Sequence, residues 1–158
     1  MALLKRKEDE WDGKVDRRRP PRVLVVNDDA EACELLVRFL GLAGFQAGGA
    51  DSDTTAMYLM SQHLPRCVVL DLQTGGVGSS LKLLDQIRTH PDRRINSARV
   101  VLCAPSPKNR TFSFQSGADA FVVRPFHVKD LVAEVTDVIK RPQDERARHR
   151  RDELARGA

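Results

Sequence analysis

Residues 67–71 read Cys-Val-Val-Leu-Asp, four apolar residues in unbroken succession that run straight into a carboxylate. Apolar character without alternation is the mark of a strand buried on both faces, the condition of a parallel sheet covered by helices. The same signature recurs at Arg22–Val26, Arg99–Cys103 and Ala120–Val123, with 45–49 as a weaker strand. Helical spacing fills the intervals: 29–43, with Cys33, Leu36, Val37 and Leu40 on one side; 54–63; 81–89; a shorter stretch at 108–116; and 128–139, with Leu131, Val132, Val135, Val138 and Ile139. Gly44, Pro65, Pro91, Gly117 and Pro142 punctuate the helix ends. Five strands alternating with five helices predict an α/β fold, a doubly wound five-stranded parallel sheet in three layers.

Size and composition allow this fold. The chain has 158 residues, 41% hydrophobic and 30% charged, enough for one domain with a real core. No apolar run approaches the roughly 20 residues of a membrane helix, and the start of the chain has too little apolar sequence for a secretory signal, so no membrane association and a cytoplasmic location are expected. Cys33, Cys67 and Cys103 are odd in number, widely spaced and set among apolar neighbours, which fits reduced thiols and not a disulfide framework or a zinc site.

The formal net charge of +4 is not spread evenly. Residues 1–21 hold seven Lys/Arg and five Asp/Glu, residues 140–158 hold seven and four, and the segment between them holds 12 and 13. The excess positive charge therefore sits in the ends. These divide the chain into a flexible mixed-charge tail over 1–21, a folded domain over 22–141, and a charged tail over 142–158, disordered or helical. Arg17–Arg19 and Arg146–Arg151 are candidates for contact with phosphate or an acidic partner, but no nucleic-acid-binding motif accompanies them.

In an open parallel sheet the ligand site lies beyond the carboxyl ends of the strands, where the strand order reverses. That rule gathers Asn27 and Asp28 after the first strand, Asp71 after the third, Cys103 after the fourth and Arg124 after the fifth. Taken alone, "NDDAE" at 27–31 is equally a helix start, with Asp28 as N-cap and Glu31 three residues on. The loop "TGGVGSS" at 74–80 follows a strand and opens a helix, but it lacks the GK[ST] of a P-loop and the third glycine of GxGxxG.

The set "VLVVNDD", "CVVLDL", "RVVLCA" and "QSGADAFVVRPF", in this order, resembles the receiver domain of bacterial response regulators, over residues 22–141. The resemblance implies the flavodoxin-like (βα)5 receiver fold and a part in a two-component phosphorelay, as a signalling module and not an enzyme. It implies that Asp71 accepts a phosphoryl group from a sensor histidine kinase or phosphotransfer protein. It implies Mg²⁺ held by Asp28, Asp71 and the backbone carbonyl of Gln73, with Asn27 acting through a water, and a cis bond at Arg124–Pro125. Cys103 and Phe121 take the switch positions, and an output surface is implied within Lys108–Ile139. Because Phe112 and Phe114 lie two apart on a helix, one of them should be exposed. With about 20 residues after the last predicted helix, no DNA-binding output domain is expected, and the effect should pass through a downstream protein.

Three positions depart from the family pattern. Asn27 stands for the first acid and removes one negative charge, so weaker Mg²⁺ binding is expected. Cys103 stands for Thr or Ser and is a poorer donor. Arg124 stands for Lys and brings a planar fork in place of a compact ammonium. These substitutions raise the alternative of a pseudo-receiver that recruits a partner without phosphorylation. A third reading takes Cys103, beside Arg124, as a redox-sensitive thiol.

Overall fold

The computed structural model describes residues 19–157. The strands are β1 (Arg22–Val26), β2 (Gln46–Ala50), β3 (Cys67–Asp71), β4 (Arg99–Ala104) and β5 (Ala120–Val123). All neighbouring pairs are parallel, in the order β2-β1-β3-β4-β5, so the order reverses between β1 and β3.

Alternate residues of each strand feed two separate cores, as the two-residue side-chain period requires. Leu24, Val26, Val68, Leu70, Val100 and Leu102 face one way. They are met by Met60 of α2 (Asp53–His63), by Leu83, Leu84 and Ile87 of α3 (Val77–Arg88), and by Ile95 of the single-turn α4 (Arg93–Asn96). Val23, Val25, Val69, Val101 and Cys103 face the other way, against Leu40 of α1 (Ala30–Leu42) and the buried side of α6 (Val128–Lys140). Every residue of β3 and β4 is buried, which is why these strands read as unbroken apolar runs. Beside β5 lies the short α5 (Arg110–Gln115), preceded by a 3₁₀ turn at Pro107–Asn109, and α7 (Gln143–Gly157) packs against α5.

Several local expectations shift. Asp29, not Asp28, is the N-cap of α1, its carboxylate accepting from Glu31 N–H and Ala32 N–H. Helix α3 begins a turn earlier than its apolar spacing indicated, because Ser80 is drawn into the helix by donating to the carbonyls of Asp71 (2.9 Å) and Thr74 (3.0 Å). One turn, α4, was not anticipated; it is too short to show a period and is started by Asp92 capping Arg94 N–H. Of the tail expected over 1–21, residues 1–18 lie outside the described residues.

The charged segment after residue 142 is the helix α7, and its arginines do not all face solvent. Arg146 is 4% exposed and meets Asp119, itself 1% exposed, through Nε at 2.8 Å and Nη2 at 3.1 Å. Arg88 of α3 donates to the same carboxylate at 2.9 Å and Arg150 at 3.3 Å, while Val100 N–H supplies a further bond at 2.9 Å. The remaining guanidinium donors end on carbonyls: Arg88 on Gly117 and Ala98, Arg146 on Ser97. The cluster stands at the amino end of β5, opposite the edge where the site forms. Arg146 and Arg150 are therefore structural and not free to meet phosphate, contrary to the sequence expectation.

Burial alone would push the Asp119 carboxyl up, but hydrogen bonds and charge from Arg146, then the charges of Arg88 and Arg150, reverse this and hold it down to about 2. A carboxyl depressed in the folded state stabilises the fold above its unfolded value of roughly 3.9 and loses that contribution as pH falls toward the folded value. Stability measured by denaturant between about pH 4 and pH 2 should thus fall steeply in the wild type, and Asp119→Asn should flatten that limb. At neutral pH, Asp119→Ala strands Arg146 in the interior and should cost about 3–5 kcal/mol.

Candidate functional site

The sheet order puts the crevice at the carboxyl ends of β1 and β3, and Asp71 is the last residue of β3. Its side chain is 5% exposed, and every polar contact to it comes from a donor. Gln73 N–H donates to Oδ1 at 2.8 Å; Arg124 Nη1 pairs with Oδ2, and Asn27 Nδ2 lies 3.4 Å from the same oxygen. Arg124 reaches over from the end of β5, just before the cis Arg124–Pro125 bond, and its Nη2 donates to Gln73 Oε1 at 3.2 Å. The planar fork thus spans the phosphoacceptor candidate and the residue two positions on, with a separate nitrogen on each.

Asp28 lies at the exposed mouth of the crevice and is tied to the loop after β3. Its N–H donates to Thr74 Oγ1 at 3.2 Å, and its Oδ2 accepts from Gly75 N–H at 3.3 Å. Gly75 and Gly76 hold positive φ angles of 65° and 94°, which lets this turn bring its amides toward Asp28. Freed from capping, Asp28 keeps carboxylate oxygens for the site. Asn27 is 6% exposed and does not present its oxygen as the sequence suggested: Oδ1 accepts from Asp29 N–H at 2.9 Å in a turn at the helix start, so its NH₂ faces Asp71.

A hard divalent cation fits the donor chemistry. Two carboxylates and the Gln73 carbonyl offer oxygen donors on adjoining turns, and the carbonyl, which accepts from Gly76 N–H at 2.9 Å, keeps a second lone pair. The charge is lower than three acids would give, and Arg124 already covers one oxygen of Asp71. Among the described residues no group of three His, Cys, Asp or Glu side chains is placed to hold a metal, so a cation here would rest on two carboxylates and neutral oxygens.

Cys103 pairs with Asp71 in the β3–β4 register and is 3% exposed. Burial, and secondarily the charge of Asp71, push its thiol up to about 12 despite the opposing Arg124. It is a packed thiol at neutral pH, which removes the redox reading: Arg124 is near, but desolvation wins. Cys67 is buried and Cys33 half-buried, and both are free. Phe121 is half-buried against the core that includes Leu102, while Phe112 is 54% and Phe114 4% exposed. Sequence reasoning missed the Gln73 side chain and Thr74 as parts of this site, since neither carries a motif; only the loop's return past Asp28 reveals them.

Residues 23–136 match the family model of the response regulator receiver domain. The chain is 30% identical over 125 residues to the transcriptional regulatory protein PrrA of Mycobacterium tuberculosis (77% of this chain, 51% of PrrA). It is 27% identical over 120 residues to the phosphate regulon transcriptional regulatory protein PhoB of Escherichia coli K12 (76% and 52%). The chain thus spans about half the length of the curated relatives it matches. Among solved structures, a response regulator from Chloroflexus aurantiacus superposes with a TM-score of 0.71 at 24% identity, covering 78% of this chain and all of that one. A CheY-like receiver domain protein from Methanospirillum hungatei superposes with a TM-score of 0.67 at 18% identity, covering 81% and 97%. With the five-stranded parallel sheet, the acid at the end of its central strand and the family match across most of the folded domain, the chain belongs to the response regulator receiver family.

Proposed function

We propose that this receiver is a phosphorylation-controlled interaction switch, with Asp71 as phosphoacceptor for a histidine kinase or phosphotransfer protein. The observation that carries the reading is the setting of Asp71: at the switch point of the sheet, with amide and guanidinium donors on both oxygens and Asp28 held beside it. Asp71 forms the new O–P bond, the P–N bond to the donor imidazole breaks, and the imidazole keeps the electron pair and takes a proton. Such a transfer is governed by positioning and by neutralising charge on the phosphoryl oxygens. Magnesium, when held by Asp28, Asp71 and the Gln73 carbonyl, supplies positive charge to those oxygens.

The protein's own part lies in three groups. Gln73 N–H fixes the rotation of the Asp71 carboxylate. Arg124, with 32% of its side chain exposed, brings permanent positive charge to the mouth and must shift as a phosphoryl group arrives, since it lies on Oδ2. Cys103, lacking a strong donor, gives the modified carboxylate less to pull on than a hydroxyl would. No described helix is long and apolar enough to cross a membrane, and the switch is read as working in the cytoplasm through a downstream protein on the Lys108–Ile139 face.

Incubation with Mg²⁺ and a small-molecule phosphodonor, followed by intact mass, should give one phosphoryl adduct on the wild type and none on Asp71→Ala. An adduct that survives the substitution, or no adduct on the wild type, overturns the reading; the second result would leave an interaction module that works unphosphorylated. A second measurement addresses the missing charge. Asn27→Asp restores a carboxylate facing Asp71 and should tighten Mg²⁺ binding by about tenfold, read as a lower Mg²⁺ concentration for the thermal shift. An unchanged midpoint would show that position 27 does not act on the cation.

A further inference from the structure

Helix α7 is attached to the domain in two different ways along its length. Its first half is anchored by Arg146, whose side chain is 5% exposed and which ends on Asp119 and on the carbonyl of Ser97. Its second half rests on α5 and keeps one outlying tie to the Asp119 cluster through Arg150, at 3.3 Å from both Asp119 and the Ala118 carbonyl. Arg110 pairs with Glu153, Arg110 Nη1 donates to Glu153 O at 3.0 Å, and His149 lies edge-on to Phe114 with ring centroids 6.4 Å apart. The approach is close at the very end, where a side chain at Gly157 would come within 2.9 Å of Thr111 Oγ1.

What this second half covers is unusual. Phe114 is 4% exposed yet belongs to neither of the two cores; the Arg110 guanidinium stands 5.0 Å from its ring centroid and His149 meets its edge. Of these two side chains, His149 comes from α7, and Arg110, of α5 itself, is paired with Glu153 of α7. Two residues away Phe112 is already 54% exposed. The only residue that α7 itself buries fully is Arg146, whereas α6 buries Leu131, Val135, Val138 and Ile139. A helix attached by ion pairs with no apolar side chain in the core is held weakly wherever those pairs touch water. Glu153, Arg110 and His149 all do, at 15%, 26% and 30% side-chain exposure.

We infer that the second half of α7 is a releasable cover on α5: residues 149–157 lift, giving up the 3.3 Å contact of the 26% exposed Arg150 with Asp119, while Arg146 and Arg88 hold that carboxylate, and Phe114 emerges beside Phe112 as one aromatic patch. In the closed state the chain's own α7 occupies that patch and withholds it from any partner at α5. The inference concerns a site distant from Asp71 and stands whether or not Asp71 is phosphorylated. It also sets charge and salt, not core packing, as the control of the cover.

Hydrogen exchange on the full chain tests this directly. Residues 149–157 should exchange faster than 143–148, and Glu153→Lys, which faces Arg110 with like charge, should speed exchange of 149–157 by about tenfold while 143–148 and β3 stay unchanged. The charge-reversed pair Arg110→Glu with Glu153→Arg should restore protection. Binding of 8-anilinonaphthalene-1-sulfonate should rise in Glu153→Lys and fall back when Phe114→Ser is added. Exchange of α7 as a single unit in wild type and variant, or no gain in dye binding, overturns the inference. Should Glu153→Lys unfold the domain, seen as exchange in β3, the wild type in 1 M NaCl decides. Loss of protection confined to 149–157 supports the cover, and uniform protection across α7 overturns it.

Discussion

A carboxylate with 1% of its side chain exposed exists in this fold only because three guanidinium groups converge on it. Asp119 draws Arg88 from α3 and Arg146 and Arg150 from α7, and it accepts Val100 N–H from β4. An unpaired charge in that position would cost several kcal/mol, so the partners are obligatory once Asp119 is placed there. Their surplus positive charge is spread over backbone carbonyls at the amino edge of the sheet, among them Gly117, Ala98 and Ser97. The result fastens one end of β5 to two helices and a neighbouring strand, and the opposite edge is thereby given a fixed frame.

That opposite edge is built by the same logic at lower cost. Asp71 is nearly as buried as Asp119, but it has one guanidinium, one amide side chain and one backbone N–H, and the guanidinium is a third exposed. A pair open to water is screened and exchangeable, while a pair sealed from water is not. The two acids therefore differ in kind: Asp119 is locked, whereas Asp71 can trade its partner. This difference suits the phosphoacceptor role proposed for Asp71, since an incoming phosphoryl group would have to find positive charge already in place and still be able to displace it.

Much of this was legible in the sequence. Unbroken apolar strands declare a sheet buried on both faces, and the rule that sites form at strand ends gathers Asp28, Asp71, Cys103 and Arg124 from the sequence alone. What stayed hidden were facts set by tertiary contact. Nothing local distinguishes Asp28 from Asp29 as a cap; the loop after β3 decides it by claiming Asp28 through Thr74 and Gly75. The arginines of α7 read as solvent-facing charge because the carboxylate that buries Arg146 is distant in sequence, Asp119 lying 27 residues away. Cys103 is the buried, reduced thiol that its apolar neighbours indicated, and the desolvation that outweighs Arg124 there is a tertiary fact.

The two acids also explain why Arg124 is tolerated where the family has lysine. Arg124 sets two separate nitrogens on two acceptors, Nη1 on Asp71 and Nη2 on the Gln73 side chain, in a planar arrangement that a compact ammonium does not share. Asn27 adds a donor to the same carboxylate where an acid would have added repulsion. Arg124 carries the same single positive charge as a lysine, so position 27 alone lowers the negative charge of the crevice, while the guanidinium divides its donors between Asp71 and a neutral amide oxygen.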